Sequence, residues 1–288
     1  MYEKMTWGRQ LRTQLMLALA ALFVIIPVLW MLRLAFDGSV DGTQRAQPKT
    51  ASLLPDEFST RNLARAWDAP MIGRSFMQLL TNSMIVAGCT TLVALVFGTL
   101  AGYAFARYRF PGRKFGLFAA LVLITLPPAG LAAPFFLFLN DLRIRDSLFS
   151  LIIVYSVIAV PFALWTVRNA VQGIPKDLEE AARLDGASEG RLFRSVTLPL
   201  VAPALAVSGF IAFNIAWSEF ALGWVFISSA GNATLAMILY TMRGQNNVSW
   251  GTMSALTLLM IIPILALFYA LGRYVISGLS LGTVGPEE

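Results

Sequence analysis

The sequence contains no histidine and a single cysteine, Cys89, which lies within an apolar stretch. Those absences exclude a Ser-His-Asp triad, a Cys/His metal site and any intrachain disulfide. No lysine follows a glycine, so the chain lacks a Walker-type loop to cradle phosphates. If ATP drives this protein, another chain has to bind it. Charge is also scarce: 13% of the 288 residues are ionised, against about a quarter in soluble globular domains. There is no internal repeat and no low-complexity segment.

What the chain has instead is apolar surface, 57% of its residues, arranged in unbroken runs. Leu15 to Leu32, Ser83 to Phe105, Phe115 to Leu139, Leu148 to Val167, Pro203 to Ile227 and Thr252 to Ile276 each carry at most one ionised residue. Each is close to or beyond the roughly 18 to 20 residues a helix needs to cross the hydrocarbon layer. One such run is compatible with a buried soluble helix. Six in succession predict an all-α polytopic membrane protein with six transmembrane helices. The first run follows Lys4, Arg9 and Arg12, as a signal peptide would. It is longer than a usual signal core, however, and ends in Trp30-Met31-Leu32-Arg33 without a small-x-small site, so it is read as a permanent helix.

Basic residues concentrate in short cytoplasmic loops. Arg107, Arg109, Arg113 and Lys114 lie between the second and third runs with no acid among them. Arg168, Lys176, Arg183, Arg191 and Arg194 lie between the fourth and fifth. Placing both segments inside puts both termini in the cytoplasm. The stretch 35–74 is then an external loop. It dilutes its basic residues Arg45, Lys49, Arg61, Arg65 and Arg74 with Asp37, Asp41, Asp56, Glu57 and Asp68, and it suggests a short helix near Arg61 to Trp67. The net charge of +6 sits beside helix ends, where it faces anionic lipid headgroups and not nucleic acid. The whole of 1–288 reads as one transmembrane domain.

Several runs contain proline, which removes a backbone donor and clashes with the preceding turn. Pro127, Pro128 and Pro134 predict an interrupted third helix, Pro161 an interrupted fourth and Pro263 an interrupted sixth. Freed carbonyls at that depth need a neighbouring helix or a water-lined cavity. A permeation pathway and ordinary packing kinks both fit. Gly98 and Gly102, four residues apart, predict close helix packing.

The most patterned polar stretch runs from Ile174 to Pro203. Pro175 and Asp177 read as a helix start, with Glu180 completing a capping box. Leu178, Ala181, Ala182 and Leu184 form a small apolar face. Gly186 supplies the left-handed residue that ends the helix. Ser188 caps a second short helix whose face is Leu192, Phe193 and Val196. Two short amphipathic helices hinged at a glycine lack a core of their own, so a partner surface is expected to complete them.

The run Glu180-Ala181-Ala182, then Gly186 four residues on, then Val196-Thr197-Leu198-Pro199, resembles the EAA motif of binding-protein-dependent ABC importer permeases. Its usual form has Ile where Val196 stands. Ala101 to Lys114 resembles the second cytoplasmic loop of the carbohydrate branch, the maltose-type smaller permease. Asn82-Ser83, Trp217-Ser218-Glu219-Phe220, Arg273 and Gly278-Leu279 also fit. The chain ends Gly-Thr-Val-Gly-Pro-Glu-Glu where many members carry a basic tail that reaches the ATPase, so the resemblance stops short of that contact.

The resemblance implies a type I permease fold in a bacterial or archaeal cytoplasmic (inner) membrane. It also implies a second permease subunit, two ATPase subunits and an extracytoplasmic solute-binding protein. No cofactor is expected on this chain, which performs no covalent chemistry; ATP and Mg belong to the partner. In that family the loop over 169–199 sits in a cleft of the ATPase and transmits its motion. Glu180, Ala181, Ala182, Asp185, Gly186, Leu198 and Pro199 are the residues that would do so here. Asn82, Tyr155, Asn214 and Trp217 are candidates for the substrate pathway. Glu219, the lone carboxylate within a run, is expected to serve packing or gating before substrate contact, because an ionised acid at that depth costs a few kcal/mol unless paired or wet. The expected cargo is a sugar or oligosaccharide; an amino acid, polyamine or phosphonate is the alternative. An ion-driven secondary transporter would show internal repeats or several buried ionisable groups. A membrane-embedded enzyme would show paired acids, a metal cluster or a nucleophile with its base.

Overall fold

In this computed structural model the described residues are 7–40, 52–68, 74–244 and 250–281. The expectations resting on Lys4, Asp41, Arg45, Lys49, the side chains of Arg273 and Leu279, and the tail after Leu281 lie outside them. The α-helices among the described residues are α1 (Trp7–Phe36), α2 (Arg61–Asp68), α3 (Phe76–Arg107), α4 (Arg113–Thr125), α5 (Ala132–Asp141), α6 (Leu148–Gln172), α7 (Lys176–Leu184), α8 (Glu189–Leu192), α9 (Leu198–Leu200), α10 (Ala202–Ser218), α11 (Ala221–Phe226), α12 (Leu235–Gly244) and α13 (Trp250–Leu281). The only β pairing among them is a bridge between Asp37 and Phe58. The chain divides into two compact units, Met1–Phe76 with Leu239–Ile262, and Met77–Ile238 with Pro263–Glu288.

Helices α1, α3, α6 and α13 are each long and apolar enough to cross a membrane. Two further candidates are bent helix pairs: α4 meets Pro128–Asp141 at 108°, and Glu189–Leu200 meets α10 at 74°. Counting each pair as one span gives six. The tandem Pro127-Pro128 explains the first break, since a residue before proline is pushed out of the α region; Leu126 and Pro127 are both extended. The expected interruptions at Pro161 and Pro263 are absent: α6 and α13 run straight through them. A lone proline removes one donor and leaves the rest of the ladder to hold the helix, which a tandem pair cannot do.

In the first unit α1 leaves nearly its whole length exposed, as a helix facing lipid can; only Arg33, Leu34 and Ala35 are buried. Its C-terminal end is tied down by charge. The Arg33 guanidinium donates to Asp56 at 3.2 Å and lies 3.8 Å from Asp37. Burial raises the Asp37 carboxyl, but hydrogen bonds from the Ser39 hydroxyl and from the Asp56, Ser39 and Glu57 amides outweigh it and hold the group below the usual carboxylate range. Asn62 on α2 donates to the carbonyls of Leu34 and Asp37. The expected short helix is therefore present, and it clamps the end of α1. Gly251 packs its bare backbone against Asn62, where a Cβ would collide.

In the second unit α3 and α6 lie side by side. Gly98 faces Ala163 so closely that a Cβ would overlap it, and a Cβ on Gly102 would come within 3.0 Å of Leu164 and Val167 atoms. Ala94, Ala159, Ala163 and Ala212 carry the same small-residue packing on to α10. Lipid offers no hydrophobic drive between helices, so close van der Waals approach of small residues is what joins them. The packing expected of Gly98 and Gly102 is present.

Candidate functional site

The polar loop after α6 folds as a hairpin of short helices. Helix α7 begins at Lys176 with Pro175 as its cap residue, and no side chain caps it. The expected capping box is thus absent. The fixed φ of Pro175 starts the helix early and leaves Asp177 inside its first turn, where it favours the helix dipole instead. The C-terminus follows expectation. Gly186 has φ +80, its N–H bonds to Arg183 O at 3.0 Å, and Ala187 N–H bonds to Ala182 O at 3.0 Å. That is the paired bonding of a Schellman turn. Ser188 precedes α8 with an extended backbone but makes no side-chain cap bond. Arg183 and Glu189 join the two arms across the glycine through a bidentate pair at 2.8 and 3.3 Å. That hydrogen bonding lowers the Glu189 carboxyl and raises the Arg183 guanidinium.

One side of this hairpin is anchored to the membrane helices. Leu192 is fully buried among Tyr103, Val167, Val171, Ile174 and Val201, with Phe193 and Ala182 at the edge. Beside that cluster, Glu179 accepts from Arg107 Nε at 2.8 Å, both side chains nearly buried, and Arg107 Nη2 donates to Ile174 O at 3.0 Å. The other side is open. Leu178, Ala181, Ala182, Asp185, Ser195, Val196, Pro199 and Leu200 line a groove of about 440 Å³. Leu178 is 49% exposed and Leu184 is 89% exposed.

The helix spacing accounts for both faces. Glu179 turns inward with Ala182, three residues on, at the rim between the two faces, whereas Leu178, Ala181 and Asp185 form the outward stripe. Among the expected coupling residues, Ala181, Ala182, Asp185 and Pro199 come together in the groove, while Glu180 is exposed outside it. Gly186 forms the left-handed turn between α7 and α8, and Leu198 lies half-buried at the start of α9. Sequence reasoning missed Glu179 and Arg107. Their partnership spans 72 residues; the available signal was the three-residue step from Glu179 to the inward Ala182.

A second polar cluster surrounds the break after α10. That helix stops at Ser218, and Glu219 turns its carboxylate onto the N–H groups of Leu222 at 3.1 Å and Gly223 at 3.3 Å, the otherwise unpaired donors at the start of α11. Tyr155 Oη donates to the same carboxylate at 2.9 Å. Gly223 packs close here: a Cβ would lie 3.0 Å from the Tyr155 hydroxyl, which would have to give way.

The segment beyond α11 is held equally well. Asp146 Oδ1 accepts from Ser228 and Ser229 N–H at 2.9 Å each, and Asn232 Nδ2 donates to Asp146 O at 2.7 Å. Asn82 Nδ2 donates to the carbonyls of Gly231 and Ala233, and Ser83 Oγ accepts from Leu235 N–H. Asp146 adopts φ 62, a left-handed conformation uncommon outside glycine, to make these contacts. The pathway candidates divide accordingly. Tyr155 and Glu219 bond to each other, and Asn82 spends its amide on backbone carbonyls. Trp217 is buried and stacked on Phe213 at 5.4 Å, and Asn214 is half-buried on α10. Glu219, the lone carboxylate of its run, caps a helix break.

Residues 69–280 match the family of binding-protein-dependent transport system inner membrane components. The chain belongs to that family: it is an inner-membrane permease component of a transport system. It is 31% identical over 264 residues to the trehalose transport system permease protein SugB of Mycobacterium tuberculosis, covering 91% of this chain and 93% of the relative. It is likewise 31% identical over 262 residues to the diacetylchitobiose uptake system permease protein DasC of Streptomyces coelicolor, covering 91% and 92%. In fold it is similar to a chain of a bacterial ABC transporter involved in the import of the acidic polysaccharide alginate. That likeness has a TM-score of 0.75 at 20% identity over 96% of this chain and 99% of the other.

Proposed function

We propose that this chain forms half of the translocation pathway of an ABC importer for a sugar or oligosaccharide, and that the hairpin from Lys176 to Leu200 couples it to a separate ATPase. The observation that carries the reading is the two-sided hairpin: an inner face welded to α3 and α6, and an outer apolar groove with Leu178 and Leu184 exposed. Such a face is poorly suited to water and suited to a protein cleft. The cargo reading rests on relatives named for trehalose and diacetylchitobiose uptake. A second permease, two ATPase subunits binding ATP and Mg, and a solute-binding protein outside complete the system. Both termini are cytoplasmic in this arrangement, which puts the Arg107–Lys114 segment and the hairpin on the same inner side.

The mechanism is alternating access. ATP closes the ATPase pair, the clefts carry the hairpins with them, and the two permeases rock between inward- and outward-facing states. Glu180, Ala181, Ala182, Asp185, Gly186, Leu198 and Pro199 form or support the contact. Asn82, Tyr155, Asn214, Trp217 and Glu219 shape the pathway wall, Tyr155 and Glu219 by fixing the helix break and Asn82 by holding the segment after α11. The test is uptake of radiolabelled disaccharides and amino acids by cells lacking this chain, with and without its re-expression. Restored disaccharide uptake that collapses on ATP depletion supports the reading. Restored amino-acid uptake, or uptake that follows an ion gradient without ATP, refutes it.

A further inference from the structure

Beyond the groove itself, the second unit shows how a push on the hairpin would reach the opposite end of the span helices. Arg107 stands in the last turn of α3 and grips two other elements at once: Glu179 of α7 and the Ile174 carbonyl just past α6. Both side chains are nearly buried, 10% and 3% exposed. A paired, desolvated charge is costly to separate, so this is a stiff joint and not a loose surface contact. Above the joint, α3 and α6 are packed backbone to backbone at Gly98 and Gly102. At their other ends the same two helices hold the segment after α11, through Asn82 and Ser83 on α3 and through Asp146 just before α6, while Tyr155 within α6 holds Glu219 at the break before α11. Each link is a direct contact.

We propose that Arg107 and Glu179 are the positioning pair that makes the coupling hairpin and the α3–α6 rod move as one body. Nucleotide-driven displacement of the hairpin is thereby delivered to the Ile227–Thr234 segment. The pair touches neither nucleotide nor solute. It acts by removing slack between the hairpin and α3, adding a directional, charge-assisted link beside the apolar cluster around Leu192. This inference rests on the coupling role proposed above.

The test uses the importer purified whole through this chain. A nitroxide is placed on the native Cys89, the only cysteine of the chain, exposed on α3. Its spectrum is compared without nucleotide and with Mg-ATP plus vanadate. The wild type is expected to show a nucleotide-driven change; Arg107→Ala and Glu179→Gln are expected to lose it while the ATPase still co-purifies and still hydrolyses ATP. Arg107→Lys, which keeps both the charge and a donor, is expected to restore the change. A full spectral change in Arg107→Ala overturns the positioning role. Loss of the ATPase from Glu179→Gln also overturns it, because the pair would then serve docking. If the wild type carries no ATPase at all, the coupling reading itself falls, a result separable from the other two. Should Arg107→Ala not accumulate, Glu179→Gln, close in shape to the native residue, decides alone.

Discussion

The two ends of α6 finish in opposite ways. Around its N-terminal half the protein closes on itself: Tyr155 and Glu219 satisfy the start of α11, Asp146 holds Ser228 and Ser229, and Asn82 takes two carbonyls. Around its C-terminal end the protein is only half finished, with Leu192 and Glu179 turned in and Leu178 and Leu184 turned out. A region whose broken helix ends are tied to Glu219, Asp146, Asn82 and Ser83 is built to keep its shape. A region with a satisfied back and an apolar front is built to be completed by something else. The difference predicts that substitutions at the closed end cost stability, whereas those on the open face cost a partner.

The largest effect is expected at the closed end. Glu219→Ala strands two N–H groups and the Tyr155 hydroxyl, each worth about 1–3 kcal/mol when left unpaired, so unfolding of the detergent-solubilised chain should come about 4 kcal/mol earlier. Glu219→Gln, which keeps an acceptor oxygen, should recover much of that. Next comes the inward side of the hairpin, where Leu192→Ala removes a fully buried side chain and should cost about 3 kcal/mol in the same assay. Equal stability of either alanine variant and the wild type would erase the contrast.

Gly186→Val sharpens it further. Nothing lies within 4 Å of an added Cβ, so the whole cost is the left-handed backbone, about 1–2 kcal/mol. The hinge should distort without the span helices melting. The expected result is weakened assembly and ATP hydrolysis uncoupled from uptake, read by comparing ATPase and transport rates; normal coupled transport would remove the hinge from the mechanism.

A smaller effect follows acid. Burial raises the Asp146 carboxyl, but hydrogen bonds from Ser229 and Ser228 prevail and hold it below its ordinary value. A depressed folded-state value means its stabilisation is fully present above the unfolded value, near 3.9, and is lost as pH falls through the lower folded one. Acid unfolding curves below about pH 4 should therefore be shallower for Asp146→Asn than for the wild type.

The six apolar runs and the Gly186 hinge were legible because each is a local property: length sets a span, and a missing Cβ permits a positive φ. The tandem Pro127-Pro128 was legible for the same reason, since two prolines dictate the backbone before them. Pro161 and Pro263 misled because a lone proline is overruled by the helix around it. The break at Glu219 was hidden, for Ser218-Glu219-Phe220 contains no glycine or proline; only the carboxylate's reach to Leu222 and Gly223 makes it stable. The Arg107–Glu179 joint was hidden by distance along the chain. The capping box failed because Pro175 began the helix ahead of Asp177.

The most direct test of the central claim is co-purification of the ATPase with a Leu178→Ser, Leu184→Ser double variant, scored only after its melting temperature is shown to match the wild type. The variant is expected to be as stable as the wild type and to emerge without the ATPase. ATPase retained at the wild-type ratio would mean that the open face of the hairpin is not where the partner binds.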